Sequence, residues 1–412
     1  MTKYRAGRSE TGAAFVPLLF GGDINVYSVA RAFYEAYDVI PKAYGKYPTG
    51  PDMNSAIVDY SANEKADDPD TFKALVEAFA AENTDKKVLL IGCGDNYVAL
   101  ASRFKDSLPA NVIAPYIDLP LMEELTNKER FYAFCEAHGV DYPDTFVYRR
   151  EMGDSFALPF GGPFAVKPAN SVSYWKFPFE GQKKAYILQT EAEVRSVLKD
   201  IVASGYPDSV IIQNFIPGDD SFMRVLTCYS DRNGKVVMMC LGHVLLEEHT
   251  PHGIGNHAVI ITEYDRELMG KFHRLLEELH YVGFSNFDIK YDSRDGKFKA
   301  FEINTRQGRS NFYVTASGAN LARLFVRDRI DGKDMKLDLV DREFLWSVIP
   351  KKVMLDYINP EYRGRVKKLL KENRFSNPLL NPAERDLKKR LSILKNQAGH
   401  FVKYRKYLGK KK

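Results

Sequence analysis

The stretch of sequence that decides the fold is SNFDIKYDSRDGKFKAFEINTRQGRSN, residues 285–311. Two segments of alternating apolar and polar residues lie on either side of Asp295-Gly296, a pattern that predicts a β-hairpin. A two-residue loop would set Asp288 opposite an isoleucine. A three-residue loop, Arg294-Asp295-Gly296, or a bulge with the same effect, sets Asp288 opposite Glu302. We predict the three-residue loop, because it collects the apolar side chains on one face and the carboxylates on the other.

The polar face of this hairpin has the chemistry of a metal site. Facing carboxylates repel each other unless a positive charge lies between them. Asp288, Glu302 and Asn304 together offer the hard oxygen ligands that suit magnesium bridging nucleotide phosphates. Arg306 and Arg309 follow at once and could bind phosphate oxygens. The alternative is a hairpin whose acidic face is simply solvated.

Two other segments fit a nucleotide site but are ambiguous alone. FAVKP, residues 164–168, is an apolar strand with Lys167 near its end, which points either toward a phosphate or into water. VIIQNFIPGDD, residues 210–220, is a buried strand followed by a Pro-Gly turn and two carboxylates. Backbone groups there could bind adenine and an aspartate could bind ribose, or the segment could be a plain turn.

The chain as a whole predicts an α/β segment followed by an α+β segment. Apolar runs end in glycine turns at Gly21-Gly22-Asp23 and Gly92-Cys93-Gly94, each followed by a helical pattern, which indicates parallel βαβ units. After about Val340 the pattern becomes helical and basic. Strands are predicted at Phe164–Lys167, Val210–Phe215, Met223–Cys228, Val236–Leu241, Val259–Thr262, Phe287–Tyr291 and Phe298–Ile303, and helices around Glu191–Ala203 and Asp265–His280.

Taken in order, these pieces resemble the ATP-grasp superfamily. The resemblance rests on LTNKERF (125–131), GVDYPDTF (139–146), FAVKP, IIQNFIPGDD, FDIK (287–290) and FEINTR (301–306). It implies an ATP-grasp fold with three domains: a Rossmann-like preATP-grasp domain (1–122), an ATP-grasp domain (123–335) and a basic helical extension (336–412). The family's loop after the strand lysine is normally glycine-rich, whereas residues 169–186 contain only Gly181.

The resemblance also implies roles for individual residues. Lys128 and Lys167 correspond to the lysines that reach the nucleotide phosphates. Gln213, Phe215 and Ile216 correspond to the adenine-binding hinge. The remaining positions are Asp220, with Asp219 beside it, as the ribose carboxylate, Asp288, Glu302 and Asn304 as the magnesium ligands, Arg306 as the arginine that stabilises the transferred phosphate, and Arg224 in the same region.

Within the superfamily, FIPGDDSFMRVLTCY, GIGNHAVI and FEINTRQGRSNFY are similar to bacterial carboxylate–amine ligases of the D-aspartate ligase type. This similarity implies that ATP and magnesium activate a carboxylate as an acyl phosphate, which an amine attacks; the product would be D-aspartate joined to a peptidoglycan precursor. The alternatives are a ligase for free amino acids or small metabolites, and an inactive nucleotide-binding protein. Three histidines, His249, His252 and His257, either contact substrate or have no chemical role.

Charge and composition indicate where the protein works and which partners it could bind. The 412 residues are 45% hydrophobic, with four widely spaced cysteines and neither a membrane-spanning segment nor a secretory leader, so a cytoplasmic protein is expected. Residues 351–412 contain 19 lysines and arginines against 5 acidic residues. Leu387, Leu391 and Leu394 lie there at helical spacing. This tail could cover the body of the protein, attract an anionic substrate, or dock on anionic lipid at the inner membrane face. Nucleic acid is not expected, since no binding motif accompanies the charge.

Overall fold

A computed structural model of the protein describes residues 3–251 and 253–409, so His252 lies outside the described residues. The chain divides into two compact units. The first unit comprises Met1–Leu119, Asp220–Asn286 and Asn304–Lys412, and the second comprises Pro120–Asp219 and Phe287–Ile303. The division into three domains at 122/123 and 335/336 stays a prediction.

The N-terminal part of the first unit forms the predicted βαβ units. Its strands are β1 (Gly7–Arg8), β2 (Ala14–Phe20), β3 (Lys42–Gly45), β4 (Asp59–Ala62), β5 (Lys87–Gly92) and β6 (Val112–Ile113), and its helices are α1 (Ile24–Tyr37), α2 (Pro69–Ala81) and α3 (Asp95–Phe104). The strand order is β4-β3-β2-β5-β6, with β2 parallel to β3 and β5 and with β1 antiparallel to β2.

The two glycine turns follow from local chemistry. Asp23 begins α1 as its N-cap, accepting a hydrogen bond from the amide of Asn25 at 3.0 Å. A β-carbon on Gly92 would lie 2.8 Å from the backbone nitrogen of Val98, so α3 packs too close to β5 for a side chain there. Because β2 and β5 are parallel neighbours, both turns leave the same edge of the sheet.

The second unit contains a small antiparallel sheet. Its strands are β7 (Thr145–Tyr148), β8 (Phe164–Pro168), β9 (Tyr186–Leu188) and β10 (Val210–Asn214), and its helices are α4 (Leu119–Thr126), α5 (Lys128–Ala137), α6 (Ser171–Tyr174) and α7 (Glu191–Ala203). The strand order is β7-β10-β8-β9. Helix α7 begins with a capping box between Thr190 and Glu193, and its buried side chains Val194, Leu198 and Ile201 pack in the core of this unit.

The large sheet of the first unit extends through the predicted hairpin. Its strands are β11 (Met223–Ser230), β12 (Val236–Glu247), β13 (His257–Glu263), β14 (Gly283–Asp292), β15 (Lys297–Asn304), β16 (Asp338–Leu339), β17 (Leu345–Ser347) and β18 (Phe375–Ser376). The strand order is β15-β14-β11-β12-β13-β17-β18, with β16 beside β12, and β14 and β15 run on into the second unit. The strands predicted at 223–228, 236–241, 259–262, 287–291 and 298–303 all lie within these elements.

The chain after Val340 is only partly helical, so that prediction was too simple. Strands β17 and β18 lie within it, and Trp346 on β17 is fully buried. The helices that complete the first unit are α8 (Arg266–Glu278), α9 (Phe312–Ala316), α10 (Leu321–Phe325) with a π-helical continuation (Val326–Ile330), α11 (Lys351–Tyr357), α12 (Arg363–Lys371) and α13 (Leu387–Leu408). Among the described helices, none combines the length and apolar character needed to cross a bilayer.

The turn of the β14–β15 hairpin differs from the prediction. Four residues, 293–296, separate the strands, one more than the predicted three. Asp292 explains the longer turn, because its carboxylate accepts from the amide of Arg294 at 3.0 Å and its carbonyl accepts from Gly296 at 2.8 Å. Gly296 has the left-handed φ of +74° that the turn requires. The pairing of Asp288 with Glu302 stays a prediction.

Candidate active site

Lys128 and Glu302 form an ion pair in the second unit. Helix α5 begins at Lys128, because Asn127 accepts from the amide of Arg130 as the N-cap. The Lys128 residue is 8% exposed, and its Nζ lies 2.8 Å from Oε2 of Glu302 on β15. Two residues that were predicted to bind phosphate and metal are therefore in direct contact.

Lys167 and Gln213 lie on neighbouring strands of the small sheet. Gln213 is opposite Ala165 on β8, which places it diagonally across from Lys167. The Nζ of Lys167 donates to Oε1 of Gln213 at 3.3 Å and lies 4.5 Å from the centre of the Phe301 ring. Gln213 in turn donates to Oγ1 of Thr145 at 3.0 Å. The lysine is thus held by weak partners and has no carboxylate of its own in these contacts.

The electrostatics of this cluster favour an anion. Burial and the positive charge of Lys128 lower the pKa of Lys167 to about 8. Lys128 also holds the pKa of Glu302 far below its usual range, so this carboxylate is ionised. Two ammonium groups share one carboxylate, and phosphate oxygens would supply the missing negative charge.

The hinge after β10 contains an anchor that the sequence reasoning missed. Lys290 is 8% exposed, donates to the carbonyl oxygen of Ile216 at 2.9 Å, and lies over the ring of Phe215 at 5.2 Å. The amide of Phe215 donates to the carbonyl oxygen of Pro163 at 2.9 Å. Lys290 therefore fixes the hinge backbone. Its signal in the sequence was a lysine on the polar face of the FDIK strand, two residues after Asp288.

The predicted metal ligands are half-buried. Asp288 and Glu302 belong to the second unit, whereas Asn304 belongs to the first, where it donates to the carbonyl oxygen of Asn286 at 3.4 Å. Within residues 3–251 and 253–409, no group of three or more His, Cys, Asp or Glu residues could hold a metal ion. The predicted set combines two carboxylates with an amide, so it stays a prediction. An ionised Glu302 is the kind of ligand that magnesium prefers.

Arg306 and Arg224, the two arginines with a predicted catalytic role, are each held by a carboxylate of the first unit. Arg306 binds Asp95 through Nε and Nη2 at 2.7 and 3.0 Å, and its Nη2 also donates to Asn304 at 3.3 Å. Asp95 lies in the first turn of α3, directly after the second glycine turn, and the sequence reasoning assigned it no role. Arg224 is buried, with its Nε 2.9 Å from Glu263. The catalytic roles of both arginines stay predictions.

Asp220, the predicted ribose ligand, lies in the first unit beside a histidine. Its Oδ2 accepts from the amide of Glu247 at 2.9 Å and lies 2.8 Å from Nε2 of His249. This hydrogen bond raises the pKa of His249. Asp219, the neighbouring candidate, is exposed at the end of the second unit. The ribose assignment stays a prediction.

Comparison with solved structures identifies the fold. The chain is similar to a biotin carboxylase domain of Hydrogenobacter thermophilus 2-oxoglutarate carboxylase solved with MgADP, with a TM-score of 0.58, 15% identity, and coverage of 80% of this chain and 72% of that one. It is also similar to an L-amino acid ligase from Bacillus licheniformis, with a TM-score of 0.53, 13% identity, and coverage of 76% and 73%. These are ATP-grasp structures, and this chain has the ATP-grasp fold.

No protein-family model matches the chain. A D-aspartate ligase of Enterococcus faecium (strain Aus0004) is 42% identical over 406 residues, which cover 95% of this chain and 96% of that protein. The chain therefore belongs to the D-aspartate ligase family and is an ATP-dependent carbon–nitrogen ligase.

Proposed function

We propose that this ligase uses ATP and magnesium to join D-aspartate to an amine of a peptidoglycan precursor. The observation that carries the proposal is the cluster of Lys128, Lys167 and Glu302, which offers two ammonium groups and one ionised carboxylate on the second unit. Such a cluster is suited to a magnesium-bound triphosphate. The name of the relative from E. faecium supports D-aspartate as the donor.

A carboxylate needs activation before an amine can attack it, because oxide is too poor a leaving group. Transfer of the γ-phosphoryl group to the donor carboxylate gives an acyl phosphate and ADP. The amine then attacks the carbonyl carbon, phosphate leaves, and the nitrogen loses a proton as the amide forms. Such transfers depend mainly on positioning and charge neutralisation, so no nucleophilic side chain is needed.

Each residue of the candidate site has its own proposed role in this reaction. Lys128 and Lys167 bind phosphate oxygens, and the hinge at Phe215 and Ile216, held by Lys290, binds the adenine. Glu302, with Asp288 and Asn304, would hold magnesium, which when bound neutralises charge on the phosphates. Arg306 is proposed to stabilise the transferred phosphate.

The test of this function is phosphate release with a panel of donors. The protein is incubated with ATP, magnesium, and D-aspartate, L-aspartate or D-alanine, each with and without a nucleotide-linked muropeptide containing a free lysine. We expect release only with D-aspartate plus the muropeptide, and mass spectrometry should show the aspartyl adduct. Equal release with free amino acids as acceptors would contradict the peptidoglycan assignment and favour a ligase for small metabolites.

We also propose that helix α13 docks the enzyme on anionic lipid. Leu387, Leu391, Leu394, Phe401 and Val402 are exposed by 43–70% and lie along one side of α13. Buried residues of the helix, Lys389, His400 and Tyr404, lie on the opposite side. An apolar stripe among lysines and arginines suits a helix lying in the interface of an anionic membrane.

Leu391→Glu should weaken this docking at least tenfold, since losing the burial of one leucine side chain costs about 1.5–3 kcal/mol. Co-sedimentation with phosphatidylglycerol vesicles measures it. Tyr264→Glu is the matched control, because it adds the same charge at a residue that is 45% exposed outside the helix. Deleting the whole tail would be a poor test, since α13 also packs against the core through Tyr404. Equal sedimentation of both variants would eliminate the membrane proposal.

A further inference from the structure

The first unit contains a polar cleft that is lined by Arg309, suggested from the sequence as a phosphate ligand, but by none of Lys128, Lys167 and Glu302. It opens to solvent, and its volume of about 1000 Å³ includes part of that open solvent. Its walls are the glycine turn after β2, the residue after β12, the loop after β15, and helix α13. The ionisable side chains in the lining that matter here are Asp23, Glu248, Arg309, Lys389, His400 and Lys403.

The cleft lies where the N-terminal sheet is expected to bind a ligand. In this sheet β3 and β4 lie on one side of β2, whereas β5 and β6 lie on the other side. The strand order therefore reverses between β2 and β5. In open parallel sheets, ligands bind outside the carboxyl ends of strands at such a reversal. Gly22 and Asp23, which follow β2 directly, line the cleft.

Arg309 lies between two carboxylates but is bound tightly by neither. Its Nε is 3.6 Å from Asp23, and its Nη2 is 3.5 Å from Glu248. Both distances exceed those of a close charge-assisted hydrogen bond. A ligand carboxylate could therefore form a bidentate pair with the guanidinium of Arg309. Asp23 and Glu248 would then be free to bind a ligand ammonium group.

Helix α13 contributes two lysines, Lys389 and Lys403, and a histidine, His400, with an unsatisfied ring nitrogen. Lys389 is 5% exposed, and its Nζ donates to the carbonyl oxygens of Met53, at 2.8 Å, and Pro51. His400 is 6% exposed, and its Nδ1 has no hydrogen-bond partner within the described chain. Burial lowers the pKa of His400 to about 4, so the ring is neutral at pH 7. A buried polar atom without a partner is costly unless a ligand or water completes it.

We propose that this cleft binds a free acidic amino acid, with Arg309, Lys389 and Lys403 facing its two carboxylates and with Asp23 and Glu248 facing its ammonium group. We take this amino acid to be the donor substrate of the ligase, so its assignment to the cleft rests on the proposed function.

The lining discriminates between ligand classes by charge. Three cations and two carboxylates complement a molecule with two negative groups and one positive group. A diphosphate or a dicarboxylate without an amine would leave Asp23 and Glu248 facing negative charge. An amino acid with an apolar side chain would leave a cation unpaired. Both mismatches cost binding free energy.

Calorimetric titration of the full-length protein tests this site, with and without MgADP. The probes are D-aspartate, L-aspartate, succinate and D-alanine, and the variants are Arg309→Gln and Lys403→Gln. Lys395→Gln is the matched control, since Lys395 is an exposed lysine of α13 outside the cleft. We expect one aspartate enantiomer to bind, at least tenfold weaker binding in both cleft variants, and unchanged binding in the control. Succinate and D-alanine should bind at least tenfold more weakly than aspartate.

Two outcomes overturn the inference: no binding of either aspartate to the unmodified protein, or equal binding in the cleft variants and the control. Equal binding of succinate would refute the ammonium contacts. Because Lys403 is exposed, its variant folds even if Arg309→Gln does not. Phosphate release separates the two proposals. Phosphate release without aspartate binding in the cleft would support the ligase function and refute the cleft site. Aspartate binding in the cleft without phosphate release would support the cleft site and refute the ligase function.

Discussion

Glu302→Gln will lower ATP-dependent phosphate release by about 1000-fold, because it removes the ionised carboxylate that is proposed to hold the metal and that balances Lys128. Glutamine has the same shape, so the fold should persist. The measurement is phosphate release at saturating magnesium, together with the thermal unfolding midpoint. The magnesium concentration for half-maximal rate should rise in whatever activity remains, which a purely structural role would not cause.

Asp200→Asn is the matched control for this variant. Asp200 is an exposed carboxylate on α7 of the same unit, and its loss should leave phosphate release within twofold. Asp288→Asn should behave like Glu302→Gln if both bind the metal. Full turnover by either of these two variants, with magnesium present, would refute the metal assignment.

Lys167→Met should lower phosphate release by about 100-fold and weaken ADP binding by a similar factor, because the phosphates would lose the charged, half-buried partner proposed for them. The unfolding midpoint should be unchanged or slightly higher. Burial disfavours the charged lysine, as its pKa of about 8 shows, and methionine has no charge to desolvate. Isothermal titration with ADP and a phosphate-release assay measure both effects.

The lowered pKa also predicts how binding depends on pH. Lys167 is protonated below about pH 8 in the free protein, and bound phosphate favours the protonated form. ADP affinity should therefore be constant below pH 8 and fall by up to tenfold per pH unit above it. Lys167→Met should lose this dependence, whereas Lys199→Met, at an exposed lysine of α7, should retain it. An identical pH profile in all three proteins would contradict the phosphate role of Lys167.

The parts of the fold that could be predicted from sequence are those with a clear local pattern. The apolar runs before Gly21 and Gly92 became β2 and β5, because an apolar strand, a glycine turn and a helix specify a βαβ unit by themselves. Strands β8 and β10 also lie where alternation and buried runs placed them. The hairpin was predicted, but its turn was not, since the cap by Asp292 depends on side-chain geometry rather than on the Asp-Gly signal.

Other parts depend on contacts that are distant in sequence. Strand β17 is only three residues long, and it pairs with β13 and β18, which lie far from it along the chain. The Asp95 carboxylate that binds Arg306 is 211 residues away along the chain. Lys290 was visible as a polar residue of FDIK, yet only the structure shows that it fixes the hinge backbone.

The Lys128–Glu302 ion pair has a thermodynamic consequence for the order in which ligands bind. If Lys128 binds the nucleotide phosphates and Glu302 binds the metal, as proposed, each ligand competes for one side chain of this ion pair, and the ligand that binds first bears the cost of separating the two side chains. The second then finds its partner already released. ATP and magnesium should therefore bind with positive heterotropic cooperativity, and either ligand alone should bind more weakly than in the presence of the other.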